Sequence, residues 1–186
     1  MNVSIGVSNR HVHLTRDHLN ILFGEGFELE KRNDLTQPGQ FASTSVVTIK
    51  TQKSEIKNVR VLGPVRDYTQ VEISKTDAYS LGLNPPVRNS GDLKDSDLIT
   101  IIGPKGSIEV NACIIATRHI HLSKEHRRVY NLEGKDVVNV KLKGEKGGII
   151  TNVYLKESEE AYFELHLDTD DANAHLIKNG DIGEII

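Results

Sequence analysis

The sequence predicts a mainly β fold with short capping helices, organised as two duplicated domains that are small β-barrels or sandwiches. Most of the chain consists of short segments rich in β-branched residues, which is typical of strands, and few segments have helical periodicity. The segment from Arg10 to Thr15 also returns as the segment from Arg118 to Ser123, an offset of 108 residues (11 to 119). A repeat of this length indicates duplication of a whole domain.

The predicted strands follow one another with short connections. Glycine-bounded tetrapeptides at residues 103–106 and 144–147 predict hairpin turns between neighbouring strands. The segments that carry the strand pattern are residues 44–51, 56–62, 69–74, 97–102, 107–116, 136–143, 149–156 and 161–167.

Four short helices are expected, each next to a residue typical of a helix end. Thr15 and Ser123 occupy equivalent places in the repeat and are suited to N-cap one helix each. The other two helices are bracketed by cap and stop residues, Thr76 with Gly82 and Asp170 with Gly180.

The repeat divides the chain into a first half, residues 10–116, and a second half, residues 117–186. A second block of matching residues begins with Asn58 and Asn152, which are 94 positions apart. This offset is shorter than the first because the first half contains a longer loop. At this offset Glu72 falls opposite His166. Each half therefore offers a third polar group at one equivalent position.

The composition excludes several classes of protein. Cys113 is the only cysteine, so the chain has no intramolecular disulfide, and we expect a cytoplasmic protein in a reducing compartment. No apolar run approaches the ~18 residues that span a membrane. A net charge of −3, without a basic run interleaved with aromatics, argues against a nucleic-acid partner. The first residues lead directly into the first motif, so we expect no targeting extension.

The duplicated histidines are the main candidates for chemistry. Residues i and i+2 of a strand face the same side, so each His-x-His pair, His11 with His13 and His119 with His121, is suited to converge on one metal ion. With Glu72 or His166 as third ligand, each ion keeps an open coordination position, the pattern of a catalytic site. The alternative is that the imidazoles only satisfy backbone groups at a barrel mouth.

Four other side chains are candidates for a role in the site or for an ordinary structural role. Arg66, six residues before Glu72, is placed either to hold an oxyanion bidentately or to form a surface ion pair with Asp67. Cys113 lies in an apolar strand and is expected to be a core residue. His18 and His126 fall in predicted helices, where each is either a solvent-facing residue, a fourth metal ligand, or a residue that contacts the ligands.

Several long motifs in order resemble those of the phosphate propanoyltransferases, the PduL-type phosphate acyltransferases. The resemblance runs from Val3 to Ala174, nearly the whole chain. It is carried by VSNRHVHL at residues 7–14, DLTQPGQF at 34–41, RVLGPVR at 60–66, PPVRNSGDL at 85–93 and ATRHIH at 116–121.

The resemblance implies two β-barrels with a two-zinc site, a strand from residues 1–9 that completes the second half, and the reaction acyl-CoA + phosphate ⇌ acyl phosphate + CoA. It implies that Arg66 holds phosphate and is the catalytic residue. The implied zinc ligands are His11, His13 and Glu72 for one ion, and His119, His121 and His166 for the other. The implied coenzyme A contacts are Ser8, Asn9, Arg10, Arg60, Leu62 and Asn173.

Two other function classes stay open from the residues alone. One is a binuclear metallohydrolase or thioesterase, since such enzymes also use His-x-His pairs, and the other is a non-enzymatic metal-binding module. The expected partners are coenzyme A, acyl-CoA and phosphate. The sequence leaves open the choice between acetyl and propanoyl groups, the physiological divalent metal, the direction of flux, and whether the chain forms a homo-oligomer.

Overall fold

Two closed six-stranded β-barrels and four short helices make up the fold of this computed structural model, which describes residues 1–186. Strands account for 45% of the residues and helices for 15%, which confirms the predicted mainly β class. The chain divides into unit 1, residues 1–9 and 117–186, and unit 2, residues 10–116.

The element bounds are as follows. The strands are β1 Asn2–Ser8, β2 His11–His13, β3 Lys31–Asp34, β4 Phe41–Lys50, β5 Glu55–Gly63, β6 Gln70–Glu72, β7 Val87–Arg88, β8 Asp97–Ile102, β9 Ser107–Ala116, β10 His119–Leu122, β11 Val137–Leu142, β12 Gly148–Glu157, β13 Glu164–Asp168 and β14 Ile182–Ile185. The helices are α1 Arg16–Phe23, α2 Lys75–Leu81, α3 Lys124–Val129 and α4 Thr169–Ala174.

Unit 1 is a barrel with the strand order β1-β13-β10-β12-β11-β14. The N-terminal strand β1 pairs in parallel with β13 and antiparallel with β14. The barrel therefore closes only with a strand from the opposite end of the sequence.

Unit 2 closes in the order β4-β5-β2-β6-β9-β8, since β8 pairs with both β9 and β4. The short strands β3 and β7 extend this sheet beside β4 and β9. Strand directions match those of unit 1 pair by pair: β2 runs parallel to β5 and antiparallel to β6, as β10 does to β12 and β13.

The strand that leads into each His-x-His motif belongs to the other unit's barrel. β1 precedes the first motif but pairs with β13, whereas β9 precedes the second motif but pairs with β6. β1 therefore takes the place in unit 1 that β9 takes in unit 2. The chain passes from one unit to the other immediately before each motif.

The strands form where apolar side chains alternate with polar ones. In β11, Val138, Val140 and Leu142 are buried and the residues between them are exposed. Such a two-residue period turns these three apolar side chains into the barrel and the side chains between them outward. The tetrapeptides 103–106 and 144–147 connect β8 to β9 and β11 to β12, as the sequence predicts.

The caps of α1 and α3 agree with prediction, since Thr15 and Ser123 accept from the backbone N–H three residues on. The cap predicted for α2 is wrong: Ser74, not Thr76, caps it, because Asp77 at the third helical position completes a capping box with Ser74. The predicted stop of α2 is right, as Gly82 adopts φ 72° there.

Both predicted ends of α4 are wrong. Asp168, not Asp170, is the N-cap, because its carboxylate accepts from the Asp171 backbone N–H at 2.8 Å. The helix ends at Ala174 with His175 as its C-cap, not at Gly180. The Gly180 N–H donates to the carbonyl of Ile5, which directs the chain back towards β1 and into β14.

Six strands lie outside the eight predicted segments. Among them, β2 and β10 are the strands assumed for the His-x-His pairs, and β1 is the strand that the family resemblance implies. The other three, β3, β7 and β14, are not expected from the sequence. β14 contains Gly183 and Glu184 and is only four residues long, so it lacks a β-branched run. Its strand conformation comes from pairing with β1 and β11 on its two sides. None of the four helices has the length and apolar character required to cross a membrane.

The dependence of unit 1 on its N-terminal strand is testable with Ile5→Ala. Ile5 is fully buried in the core of that unit. Deleting three methyl or methylene groups there should lower the free energy of unfolding by about 2–5 kcal/mol, and hydrogen exchange should accelerate within residues 117–186. Urea unfolding and peptide-resolved hydrogen exchange measure both effects.

The matched control is Ile182→Ala, which removes a half-exposed isoleucine from the neighbouring strand β14. It should cost at most about 1 kcal/mol. Equal losses in the two variants, or faster exchange confined to residues 10–116, would contradict the role of β1 in unit 1.

Candidate metal centres

The first cluster lies on the neighbouring antiparallel strands β2 and β6. The register places His11 directly opposite Glu72. Val12 and Val71, which alternate with them, are fully buried in the core of unit 2, so the donors occupy the opposite face of the strands. Nε2 of His11 lies 3.5 Å from Oε2 of Glu72, and one donor atom from each of His11, His13 and Glu72 lies within 4.8 Å of the others.

The second cluster repeats this arrangement on β10 and β13. His119 lies opposite His166, and Ile120 and Leu165 face the core of unit 1. The Nε2 atoms of His119 and His121 are 3.1 Å apart, and the donor atoms of all three histidines lie within 4.8 Å of one another.

The donors of both clusters fit a divalent metal ion. Two imidazole nitrogens bound tetrahedrally to zinc at 2.0–2.1 Å lie about 3.3 Å apart. The 3.1 Å separation of the His119 and His121 nitrogens is close to that value. Two histidines with a carboxylate, or three histidines, are also the ligand sets of catalytic zinc sites.

An ion pair ties the two ligand-bearing segments together in each unit. Arg10, immediately before the first ligand, donates from Nε to Asp77 Oδ2 at 2.8 Å. Arg118, at the equivalent place, makes two 2.7 Å hydrogen bonds to the carboxylate of Asp171, which raise the pKa of its guanidinium. Both aspartates follow the third ligand by five residues (72 to 77 and 166 to 171). The pairs thus fix the motif against the helix that follows the third ligand.

The predicted oxyanion-binding residue, Arg66, is held by neutral groups and not by Asp67. Its guanidinium donates to Tyr68 Oη at 3.0 Å, to Ser90 Oγ at 3.4 Å and to Gln40 Oε1 at 3.3 Å. These partners orient the guanidinium without cancelling its charge. The cation remains able to attract an anion.

A fully buried amide links this cation to the first cluster. Nε2 of Gln70 donates to Glu72 Oε1 at 2.6 Å and to Ser90 Oγ at 2.9 Å, and the amide oxygen of Gln70 accepts from the Gly91 N–H at 2.7 Å. A continuous path of hydrogen bonds therefore runs from Glu72 through Gln70 and Ser90 to Arg66.

The structure brings two of the predicted coenzyme A contacts beside the first cluster. Arg60 on β5 is in register with His11, and Leu62 lies two residues further along the same face. The Arg60 guanidinium also donates to the carbonyls of Ser43 and Thr44.

The other four predicted coenzyme A contacts are divided between the two units. Arg10 belongs to unit 2 and is engaged by Asp77, whereas Ser8, Asn9 and Asn173 belong to unit 1. Ser8 ends β1 in register with the N-cap of α4, the helix that carries Asn173. The predicted set therefore draws on both units.

Neither helical histidine belongs to a metal cluster. Nδ1 of His18 lies 2.6 Å from Thr69 Oγ1, and Nδ1 of His126 accepts from the Ser123 N–H in the α3 capping box. The ring of His126 also stacks on Tyr130. Both side chains therefore brace the start of a helix.

Sequence reasoning missed four residues around the clusters: Gln40, Gln70, Ser90 and Glu164. Gln70 and Glu164 each precede a third ligand by two residues on the same strand, so the strand period was a signal that would have found them. Gln40 and Ser90 lie in loops, where no periodicity indicates which side chains converge.

Comparison with known proteins gives one consistent match. The family model for phosphate propanoyltransferase matches residues 4–178. A phosphate propanoyltransferase of Thermotoga maritima is 48% identical over 186 residues, 99% of this chain and 89% of that protein. One of Priestia megaterium is 47% identical over 97% of this chain and 84% of its own length. One of Salmonella typhimurium is 41% identical, over 92% and 82%.

The environment of Cys113 predicts an unreactive thiol. The side chain is fully buried in β9, and burial raises the pKa of the thiol to about 12. Because the thiolate is the reactive form, native protein at pH 8 should react with Ellman's reagent far more slowly than protein unfolded in guanidinium chloride. The release of nitrothiobenzoate in both states measures this. Stoichiometric reaction of the native protein within seconds would contradict the prediction.

Proposed function

Because the chain belongs to the phosphate propanoyltransferase family and is a phosphate acyltransferase, we propose that it exchanges coenzyme A and phosphate on a propanoyl or acetyl group at two divalent metal sites. In the forward direction a phosphate oxygen attacks the thioester carbonyl carbon. A C–O bond forms, the C–S bond breaks, and the sulfur leaves with the electron pair as coenzyme A thiolate.

The two clusters are the proposed metal sites, with zinc the proposed ion. His11, His13 and Glu72 hold one ion, and His119, His121 and His166 hold the other. A bound divalent ion supplies Lewis acidity towards a carbonyl oxygen or a thiolate sulfur.

Arg66 is the proposed phosphate-binding residue. A guanidinium presents several N–H donors in a fixed plane, which matches two oxygens of a phosphate. Tyr68, Ser90 and Gln40 hold that plane in place before substrate arrives. At the 94-residue offset, Arg66 corresponds to Glu160 of unit 1 (66 to 160), so the duplicated scaffold carries opposite charges at this place.

The observation that carries the proposal is the hydrogen-bonded path from Glu72 to Arg66 within one unit. It connects a metal-ligating carboxylate to an oriented cation. A site that only stores a metal has no need of such a cation. A transferase that uses phosphate as nucleophile must hold that anion in position to attack the thioester.

The proposal is tested by thiol release from propanoyl-CoA and acetyl-CoA with purified protein. We expect release only when phosphate is present, loss of release after chelation, and its recovery with added zinc. The relative kcat/KM values rank the two acyl groups. Acyl phosphate, trapped with hydroxylamine, should form in an amount equal to the thiol released.

Other outcomes favour other functions. Release without phosphate would indicate a thioesterase. No release from folded protein loaded with metal would favour a binding module. Release that is unaffected by chelation would remove metal ions from the proposal while leaving the transferase reaction in place.

Arg66→Ala should impair the use of phosphate more than the use of acyl-CoA. Loss of a charged donor that stabilises reacting oxygens lowers rates by about 100-fold or more, so kcat/KM for phosphate should fall by that factor. KM for propanoyl-CoA should change little. Steady-state kinetics with each substrate varied in turn separate the two effects.

Lys57→Ala is the matched control, since Lys57 is an exposed cation of unit 2 that pairs with Glu55. It should retain wild-type kinetics. If Arg66→Ala also keeps a normal kcat/KM for phosphate, Arg66 has no part in binding that substrate.

A further inference from the structure

The four positions around each cluster form a matched block on two strands. On β2 and β6, His11 faces Glu72 and His13 faces Gln70. On β10 and β13, His119 faces His166 and His121 faces Glu164. The positions of the two blocks correspond in sequence, with an offset of 108 for the histidine strand and of 94 for its partner strand.

Each block contains one carboxylate, but at a different position. Glu72 faces the first histidine of its pair, His11, whereas Glu164 faces the second, His121. In unit 2 the acid is Glu72 and the residue two places before it is the neutral Gln70. In unit 1 the acid is Glu164 and the residue two places after it is His166. With neutral imidazoles and the same ion, the two centres therefore carry the same net charge.

The contacts of Glu164 direct its carboxylate to the second cluster. Its side chain is only 6% exposed, and Oε2 lies 2.8 Å from Nε2 of His166. Gly6 on β1 leaves space for this pair, since a Cβ atom there would lie 3.0 Å from Oε2 of Glu164 and 3.3 Å from Cδ2 of His166. A carboxylate buried beside three imidazoles is stabilised when a cation lies among them.

We propose that Glu164 is the anionic partner of the metal centre formed by His119, His121 and His166. Its carboxylate fixes the ring of His166 and offsets one charge of the ion, as Glu72 does by direct ligation in unit 2. This inference rests on the proposed function, because it requires a divalent metal at the second cluster. It assigns Glu164 as a positioning residue and not as a catalytic one.

The test compares metal binding by the full-length chain and three variants. Zinc affinity is measured by competition with a chromophoric chelator, and the visible absorption of bound Co²⁺ reports the ligand geometry of each site. Glu164→Gln should weaken one of the two sites by ~10–100-fold and alter its Co²⁺ spectrum, while the other site keeps its wild-type affinity.

The double variant Glu164→Gln with His166→Glu moves the carboxylate to the position that it has in unit 2. It should recover most of the affinity that Glu164→Gln loses, which a packing role of Glu164 does not predict. Glu184→Gln is the control, because it removes a half-exposed carboxylate of the same unit that lies 4.0 Å from Lys143. This variant should leave both affinities unchanged.

Wild-type affinity and an unchanged Co²⁺ spectrum in Glu164→Gln would overturn the inference while leaving both metal sites standing. A loss that the double variant does not recover, in protein with a native circular dichroism spectrum, would also overturn it. If the double variant does not fold, Glu164→Asp replaces it and should bind more tightly than Glu164→Gln. A wild-type chain that binds no zinc would refute the metal sites of the proposed function itself.

Discussion

The register between each His-x-His strand and its antiparallel neighbour is the constraint on which the site depends. The pairing that buries Val12 and Val71 in the core of unit 2 also sets His11 opposite Glu72 on the outer face. A slip of one residue would turn the imidazoles into the core and the valines out of it. The hydrophobic effect therefore holds the donor atoms together although they contribute nothing to the core.

The Arg–Asp ion pairs reinforce the pairing of the short strands that carry the donors. β2 and β6 are three residues each, so few ladder hydrogen bonds secure them. Arg10 and Asp77 lie just outside the two strands and join them by a second route. Arg118 and Asp171 do the same in unit 1 through two hydrogen bonds. The same pair thus joins the His-x-His segment to the helix after the third ligand in both units.

The two units share a topology but differ in the groups around their donors. In unit 2, Arg66 lies in the loop between β5 and β6 and Ser90 lies in the connection between α2 and β8, which is longer than the α4–β14 connection of unit 1. Both side chains are joined to Glu72 through the buried amide of Gln70. Unit 1 has Glu164 in the position equivalent to Gln70. The two copies of the scaffold therefore place an oriented guanidinium near one donor set and a buried carboxylate beside the other.

Much of this organisation is determined by local sequence. Alternation of apolar and polar residues specified the long strands, the repeat specified two related domains, and the i, i+2 spacing paired the histidines. All three signals lie within a few residues or in a direct copy. Short elements escaped this reasoning. β14 is a strand because β1 and β11 pair with it on both sides. Ser74 is the N-cap of α2 because Asp77 completes its capping box.

The sequence by itself determined the fold class, the duplication and the donor types of both clusters. The tertiary structure alone decided which strand closes each barrel and which loop residues orient Arg66. Barrel closure joins residues at opposite ends of the chain, and hydrogen bonds such as that from Gln70 to Ser90 join a strand to a distant loop. Contacts of that kind depend on how the whole chain packs, and no local pattern encodes them.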